Sequence, residues 1–169
     1  MPGGLAAKQA TTKTPIVLAI SGDVVSGGLA ASIARPGGNI TGSTFFFPEL
    51  NAKRVELLKE AVPRASRIAA LANGDNPGSR QSLEAMQPVA KSVIVELVPV
   101  WVRAPAEFPE AFSGMLRNRI DGLVVIDDGM LIANAQRVVD LALKHRLPAI
   151  GFRECVDAGA CSRMPSTSR

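Results

Sequence analysis

Arg67-Ile68-Ala69-Ala70-Leu71-Ala72 is a short, almost wholly apolar run, and Asn73-Gly74-Asp75-Asn76-Pro77-Gly78-Ser79 follows it directly. A run of this length bounded by polar and turn-forming residues reads as a buried strand over residues 67–72. Asn76 is a good N-cap and Pro77 suits the first position of a helix, so residues 77–93 read as the helix that follows. Pro88 falls inside that helix and is expected to kink or shorten it.

Downstream the pattern repeats. Residues 94–102 read as a strand with a helix from about 106 to 119, and residues 122–126 as a strand with a helix from about 131 to 146. The apolar stripe of the last helix is Ile132, Ala135, Val138, Val139 and Ala142. A final strand is expected over residues 148–152. Upstream, residues 15–20 form a strand ended by Ser21-Gly22-Asp23, a small-residue helix is expected over residues 26–34, and Arg35-Pro36-Gly37-Gly38-Asn39 is a turn. Residues 40–45 look extended, and Ala52, Val55, Leu58 and Val62 mark an amphipathic helix over residues 48–62. Near-continuous apolar strands separated by helices imply an α/β fold, a parallel sheet with helices on both faces.

The 169 residues suffice for a hydrophobic core, and 47% apolar with 20% charged residues is ordinary for a globular chain. The net charge of +4, from 19 basic and 15 acidic residues, is mild, and no nucleic-acid-reading motif accompanies it. Six Phe, one Trp and no Tyr make a base-stacking platform a poor fit, so nucleic acid is not expected as a partner. No run reaches the length of a membrane span, and Met1 is not followed by the basic start and apolar run of a secretory signal. Cys155 and Cys161 lie close together without a neighbouring His, which makes neither a metal site nor a strong disulfide case.

In open sheets of this kind ligands sit beyond the carboxyl ends of the strands. The segments found there are Ser21-Gly22-Asp23, residues 73–79, Arg103, Asp127-Asp128 and Phe152-Arg153-Glu154, a mixed polar set that suits a small zwitterion better than a nucleotide. Asn76 and Ser79 stand at a helix start whose amides and dipole favour an anion; a plain helix cap is the simpler reading of the same residues. Asp23, Asp127 and Asp128 offer carboxylates for a ligand ammonium, or else serve as turn and cap residues. Gly27 and Gly28 beside Asp23 would let backbone approach a ligand. His145, the one histidine, belongs to the last turn of a helix. No nucleophile–base set, phosphate loop or metal cluster can be assembled, so neither catalysis nor a cofactor is expected.

Several segments together resemble the substrate-binding proteins of ABC transporters, in the family that includes aromatic amino-acid binders of the tryptophan type. They are Leu5-Ala6-Ala7-Lys8-Gln9-Ala10-Thr11, Gly22-Asp23, Ser32-Ile33-Ala34-Arg35-Pro36-Gly37-Gly38-Asn39-Ile40-Thr41-Gly42, Pro48-Glu49-Leu50, Lys53-Arg54-Val55-Glu56-Leu57-Leu58-Lys59-Glu60, Asn76-Pro77-Gly78, and His145-Arg146-Leu147-Pro148-Ala149-Ile150 with Phe152-Arg153. Val24 departs from the family, which often places proline after the aspartate.

The resemblance implies a lobe like those of type I periplasmic binding proteins, two of which close on a small amino-acid-like solute and deliver it to an ABC permease. Residues 1–44 would be the tail of the first lobe and the crossover, 45–155 the second α/β lobe, and 156–169 an irregular tail. The chain then reads as a truncated fragment that binds its solute weakly or not at all by itself. The family's extracytoplasmic location and membrane anchor would be lost with the missing segment, leaving this chain in the cytoplasm. After Gly159 the residues Ala160-Cys161-Ser162-Arg163-Met164-Pro165 depart from the pattern. A two-base shift of permitted codons restores a strand-like sequence, so a frameshift with early termination is expected there. A ligand-sensing domain of a cytoplasmic regulator and a non-functional gene remnant are the alternative readings.

Overall fold

The computed structural model describes residues 2–21, 24–25, 27–44 and 47–159. Helix α1 (Pro2–Ala10) leads into strand β1 (Ile16–Ser21), which pairs in parallel with β2 (Ile40–Thr44), Ile16 opposite Ile40 and Val17 opposite Thr41. The segment between them is not the helix expected over residues 26–34. Its described residues form turns and bends, in which the Gly28 amide reaches the Val25 carbonyl at 2.9 Å with Gly28 at φ 69°. Adjacent glycines lose the most backbone freedom in a helix, and a chain of small side chains buries little to offset that loss.

The second sheet is larger. Helix α2 (Phe47–Ala61) is followed by β3 (Arg67–Asn73), α3 (Pro77–Ser92), β4 (Glu96–Val102), a single 3-10 turn (Pro105–Glu107), α4 (Phe108–Arg117) and β5 (Gly122–Val125). Two short helices, α5 (Gly129–Ala133) and α6 (Ala135–Lys144), lead to β6 (Ala149–Ile150) and α7 (Arg153–Asp157). All pairings are parallel and the strand order is β4-β3-β5-β6. The helix expected over 131–146 is broken at Asn134, whose side chain donates to the Met130 carbonyl at 2.8 Å and so turns the chain between α5 and α6. Pro88, by contrast, leaves α3 continuous. The segment expected to be irregular from residue 156 begins inside α7, and the frameshift reading beyond Gly159, with Cys161, lies outside the described residues.

The central strand shows why both faces must be covered. Ile68, Ala69, Ala70, Leu71 and Ala72 are all fully buried. Ile68, Ala70 and Ala72 face Val55 and Leu58 of α2 and Met86 of α3, whereas Ala69 and Leu71 face Phe108, Phe112 and Met115 of α4 and Val138 of α6. Each fully buried Leu, Ile, Phe or Met contributes about 1.5–3 kcal/mol relative to exposure, so the two layers supply the main stabilisation. No helix of the described residues is long and apolar enough to cross a membrane.

Helices α3, α4 and α6 end alike. The amides of Val95, Ile120 and Leu147 reach back to the carbonyls of Ala90, Met115 and Ala142 at 2.9, 3.1 and 2.9 Å. The residue before each amide is left-handed: Ile94 at φ 54°, Arg119 at 51° and Arg146 at 53°. This is the Schellman termination, in which the returning apolar residue is buried and the left-handed position normally falls to glycine. It also delays β4 to Glu96, so the strand expected from residue 94 loses its first two residues to the helix cap.

Candidate functional site

Because the sheet is parallel, the carboxyl ends of β3 and β5 lie side by side, with Leu71 opposite Val125. The next residues of each chain segment therefore meet. Asp128 is the N-cap of α5: its Oδ1 accepts from the Met130 amide at 2.8 Å and the Leu131 amide at 3.3 Å. Asn73 Nδ2 bridges both carboxylate oxygens at 3.1 and 3.2 Å, and Asn76 Nδ2 donates to Oδ2 at 2.8 Å. Four neutral N–H groups thus converge on a carboxylate only 7% exposed, and no cation pairs with it among the described residues.

Asp127 is equally buried but differently matched. Arg54, from the middle of α2, grips it with both terminal nitrogens, Nη2 reaching Oδ1 at 3.2 Å. Arg54 also donates to Asn51 Oδ1 at 2.8 Å, and Asn51, fully buried, donates to Ser82 Oγ at 3.2 Å. The result is a polar seam between α2, α3 and the end of β5. Arg54 was legible in the sequence only as one of several helix cations. Its spacing from Asn51 and Leu58, three and four residues away, places it on the inner face of α2 and is the signal that could have singled it out.

Asn76 caps α3 through its Oδ1, which accepts from the Gly78 amide at 3.0 Å, while the Ser79 amide donates to the Asn76 carbonyl at 3.0 Å. The amides expected to face outward at Gly78 and Ser79 are therefore engaged within the turn, because the cap residue supplies both acceptors itself. The Ser79 hydroxyl is different. It is 1% exposed and has no hydrogen-bond partner among the described residues. A buried hydroxyl without a partner costs stability, so its presence at the first turn of α3 calls for a reason outside the fold.

The remaining strand ends contribute less. Arg103, after β4, pairs with Asp75 at 3.4 Å across an exposed surface, and its amide donates to Glu107 at 3.0 Å. Phe152 is buried, and Arg153 pairs in solvent with Asp157 at 3.5 Å. Asp23 lies outside the described residues. The structure thus brings Asn76, Asp127 and Asp128, with Ser79 in the same first turn of α3, together with Asn73, from the segment expected at the strand end, and with Arg54, which the sequence had not pointed to. His145 is the C-cap of α6 and stacks on Phe112 at 6.2 Å, away from these groups.

Comparison with known proteins places this geometry in context. The chain is 29% identical over 160 residues to a tyrosine-binding protein of Clostridioides difficile, covering 94% of this chain and 46% of the relative. Among solved structures, an ABC domain from Streptococcus pneumoniae in complex with L-Trp superposes with a TM-score of 0.82 at 23% identity, over 94% of this chain and 54% of that one. A conserved domain protein of Vibrio cholerae gives a TM-score of 0.83 at 23% identity, with 94% and 53% covered. Both share the fold, and the chain spans about half the length of the relatives it matches. The profile of ABC transporter substrate binding proteins matches residues 2–164, and the chain belongs to that family.

Proposed function

We propose that this chain forms part of the solute-binding component of an ABC importer, and that its solute is an amino acid whose ammonium group is held by Asp128. In this reading residues 1–44 are the tail of a first lobe and the crossover, and residues 45–155 are most of a second lobe. The solute sits between the lobes on the extracytoplasmic side, and a permease receives it. The protein binds its solute without transforming it.

The observation that carries the reading is the contrast between the two aspartates. The charge of Asp127 is matched inside the protein by Arg54, whereas among the described residues Asp128 is held only by neutral donors. A buried carboxylate without a counter-ion is costly, and a ligand ammonium at the end of the sheet supplies that counter-ion. Asp127 then acts as a support for the loop, and Asn76 holds Asp128 in place. The unpartnered Ser79 hydroxyl offers a donor to the solute carboxylate at the positive end of α3. Asp23, which follows β1 in the sequence, would meet the solute from the first lobe. The tyrosine-binding relative supports an aromatic amino acid as the solute class.

Ligand-observed NMR with L-tryptophan and its deaminated analogue indole-3-propionate tests the assignment. Asp128→Asn is expected to weaken L-tryptophan about tenfold or more, the size of a hydrogen bond to a charged group, and to leave indole-3-propionate unchanged. Equal effects on the two ligands would remove the ammonium contact.

A further inference from the structure

We infer that the edge of the four-stranded sheet opposite the candidate site is a docking surface for an anionic phospholipid bilayer. The strand starts are in register, Arg67 opposite Glu96, Ile68 opposite Gly122 and Leu123 opposite Ala149. The helix-to-strand turns before them are therefore aligned along one edge. Each turn presents one residue there, two or three positions before its strand: Arg64, Ile94, Arg119 and Arg146. Lys91 and Lys144 join them from the last turns of α3 and α6.

Arg64, Lys91, Arg119, Lys144 and Arg146 are all exposed, and none has a hydrogen-bond or ion-pair partner for its side chain among the described residues. Two of the carboxylates at this edge are already committed. Glu96 pairs with Arg67 at 2.9 Å, and Asp121 accepts from the Ser66 and Arg67 amides at 2.7 and 2.9 Å. Glu60, exposed in the last turn of α2, and Asp140, exposed one turn before Lys144 on α6, are the described acids left to oppose five cations.

The helix dipole explains a lysine in a last turn, but it does not explain Arg119 and Arg146. These occupy left-handed positions where glycine would be less strained, and neither side chain has a hydrogen-bond or ion-pair partner among the described residues. Between the cations stand two exposed aliphatic side chains, Ile94 at 85% and Leu116 at 43%. Cations spread along a whole edge, with isolated aliphatics among them and no aromatic anchor, suit a diffuse anionic plane better than a protein partner, whose core would be aromatic-rich and poor in lysine. Headgroup phosphates would take the cations, and Ile94 and Leu116 would reach the acyl boundary.

Co-sedimentation of the full chain with vesicles of equal parts phosphatidylglycerol and phosphatidylcholine, against pure phosphatidylcholine, tests this. Binding to the anionic vesicles alone is expected, falling as salt is added. R119G/R146G should weaken it about tenfold or more, since a cation near such a surface is worth about fivefold. Glycine suits both backbone positions, so the variant should melt no lower than the parent. I94G should weaken binding severalfold without altering its salt dependence. Equal binding to neutral vesicles, undiminished binding by R119G/R146G, or retention on heparin without binding to vesicles would each overturn the proposal.

Discussion

Arg54 and Asp127, 73 residues apart in sequence, form a two-pronged ion pair that ties the middle of α2 to the residue after β5. Their side chains are 13% and 6% exposed, so the pair is largely removed from water. Removing one partner of such a pair leaves the other charge buried and typically costs about 3–5 kcal/mol. Arg54→Met and Asp127→Leu should each show that loss in urea unfolding, and the double variant should recover much of it. Additive losses would mean that the two side chains act separately.

Ser79→Ala is expected to leave stability unchanged or raise it slightly. The hydroxyl is buried without a partner among the described residues, so the substitution removes a desolvated polar group and breaks no hydrogen bond there. Asn76→Ala should instead lower stability by about 1 kcal/mol or more, because it removes the α3 cap and one donor to Asp128. Thermal melts of the two variants give the comparison. A loss of about 1 kcal/mol on Ser79→Ala would reveal a structural hydrogen bond of ordinary size.

Ile94 combines 85% exposure with a left-handed backbone, an arrangement in which a β-branched side chain adds strain and almost no burial. Ile94→Gly should stabilise the chain by about 1 kcal/mol, the lower end of the left-handed penalty. A fall in the urea midpoint would show that the side chain makes a contact worth more than the strain it causes.

Asp121 titrates below the usual carboxylate range. Burial works to raise its pKa, but the Ser66 and Arg67 amides, the Ser66 hydroxyl and the Arg67 charge together outweigh it. A depressed carboxylate contributes stability above its unfolded pKa and loses it as the pH falls through the folded value. The stability difference between the parent and Asp121→Asn should therefore be largest near neutral pH and shrink below about pH 4. A pH-independent difference would separate Asp121 from the acid response.

Gly151 sits against α7, where an added Cβ would lie 2.9 Å from Cys155 Sγ and 3.2 Å from Val125 Cβ. Gly151→Ala should cost about 1–3 kcal/mol as overpacking, and Cys155→Ala in the same chain should restore part of it. The Cys155 thiol is pushed up to about 12, with burial the largest cause, so alkylation at pH 8 should report unfolding at this residue. Rapid labelling of Cys155 in the folded chain would contradict its burial.

The sequence alone carried the fold class, because strand and helix announce themselves locally. Residues 68–72 are apolar without a break, and Ala52, Val55 and Leu58 recur at helical spacing, so neighbours in the chain suffice to read them. The Asn76 cap was legible for the same reason, since the cap and the amide it serves are two residues apart. Local signals failed where long-range geometry decided. Pro88 did not break α3, whereas Asn134 divided the next long helix, and the small-residue segment after β1 did not form a helix. The cap reading of Asp128 was legible in the sequence, but the different partners of Asp127 and Asp128 were not, because the two residues are adjacent and chemically identical. Successive residues after a strand point in different directions, so one meets Arg54 on α2 and the other meets Asn73 and Asn76. Only the packing of α2 and α3 on the sheet could match one charge and leave its neighbour to neutral donors.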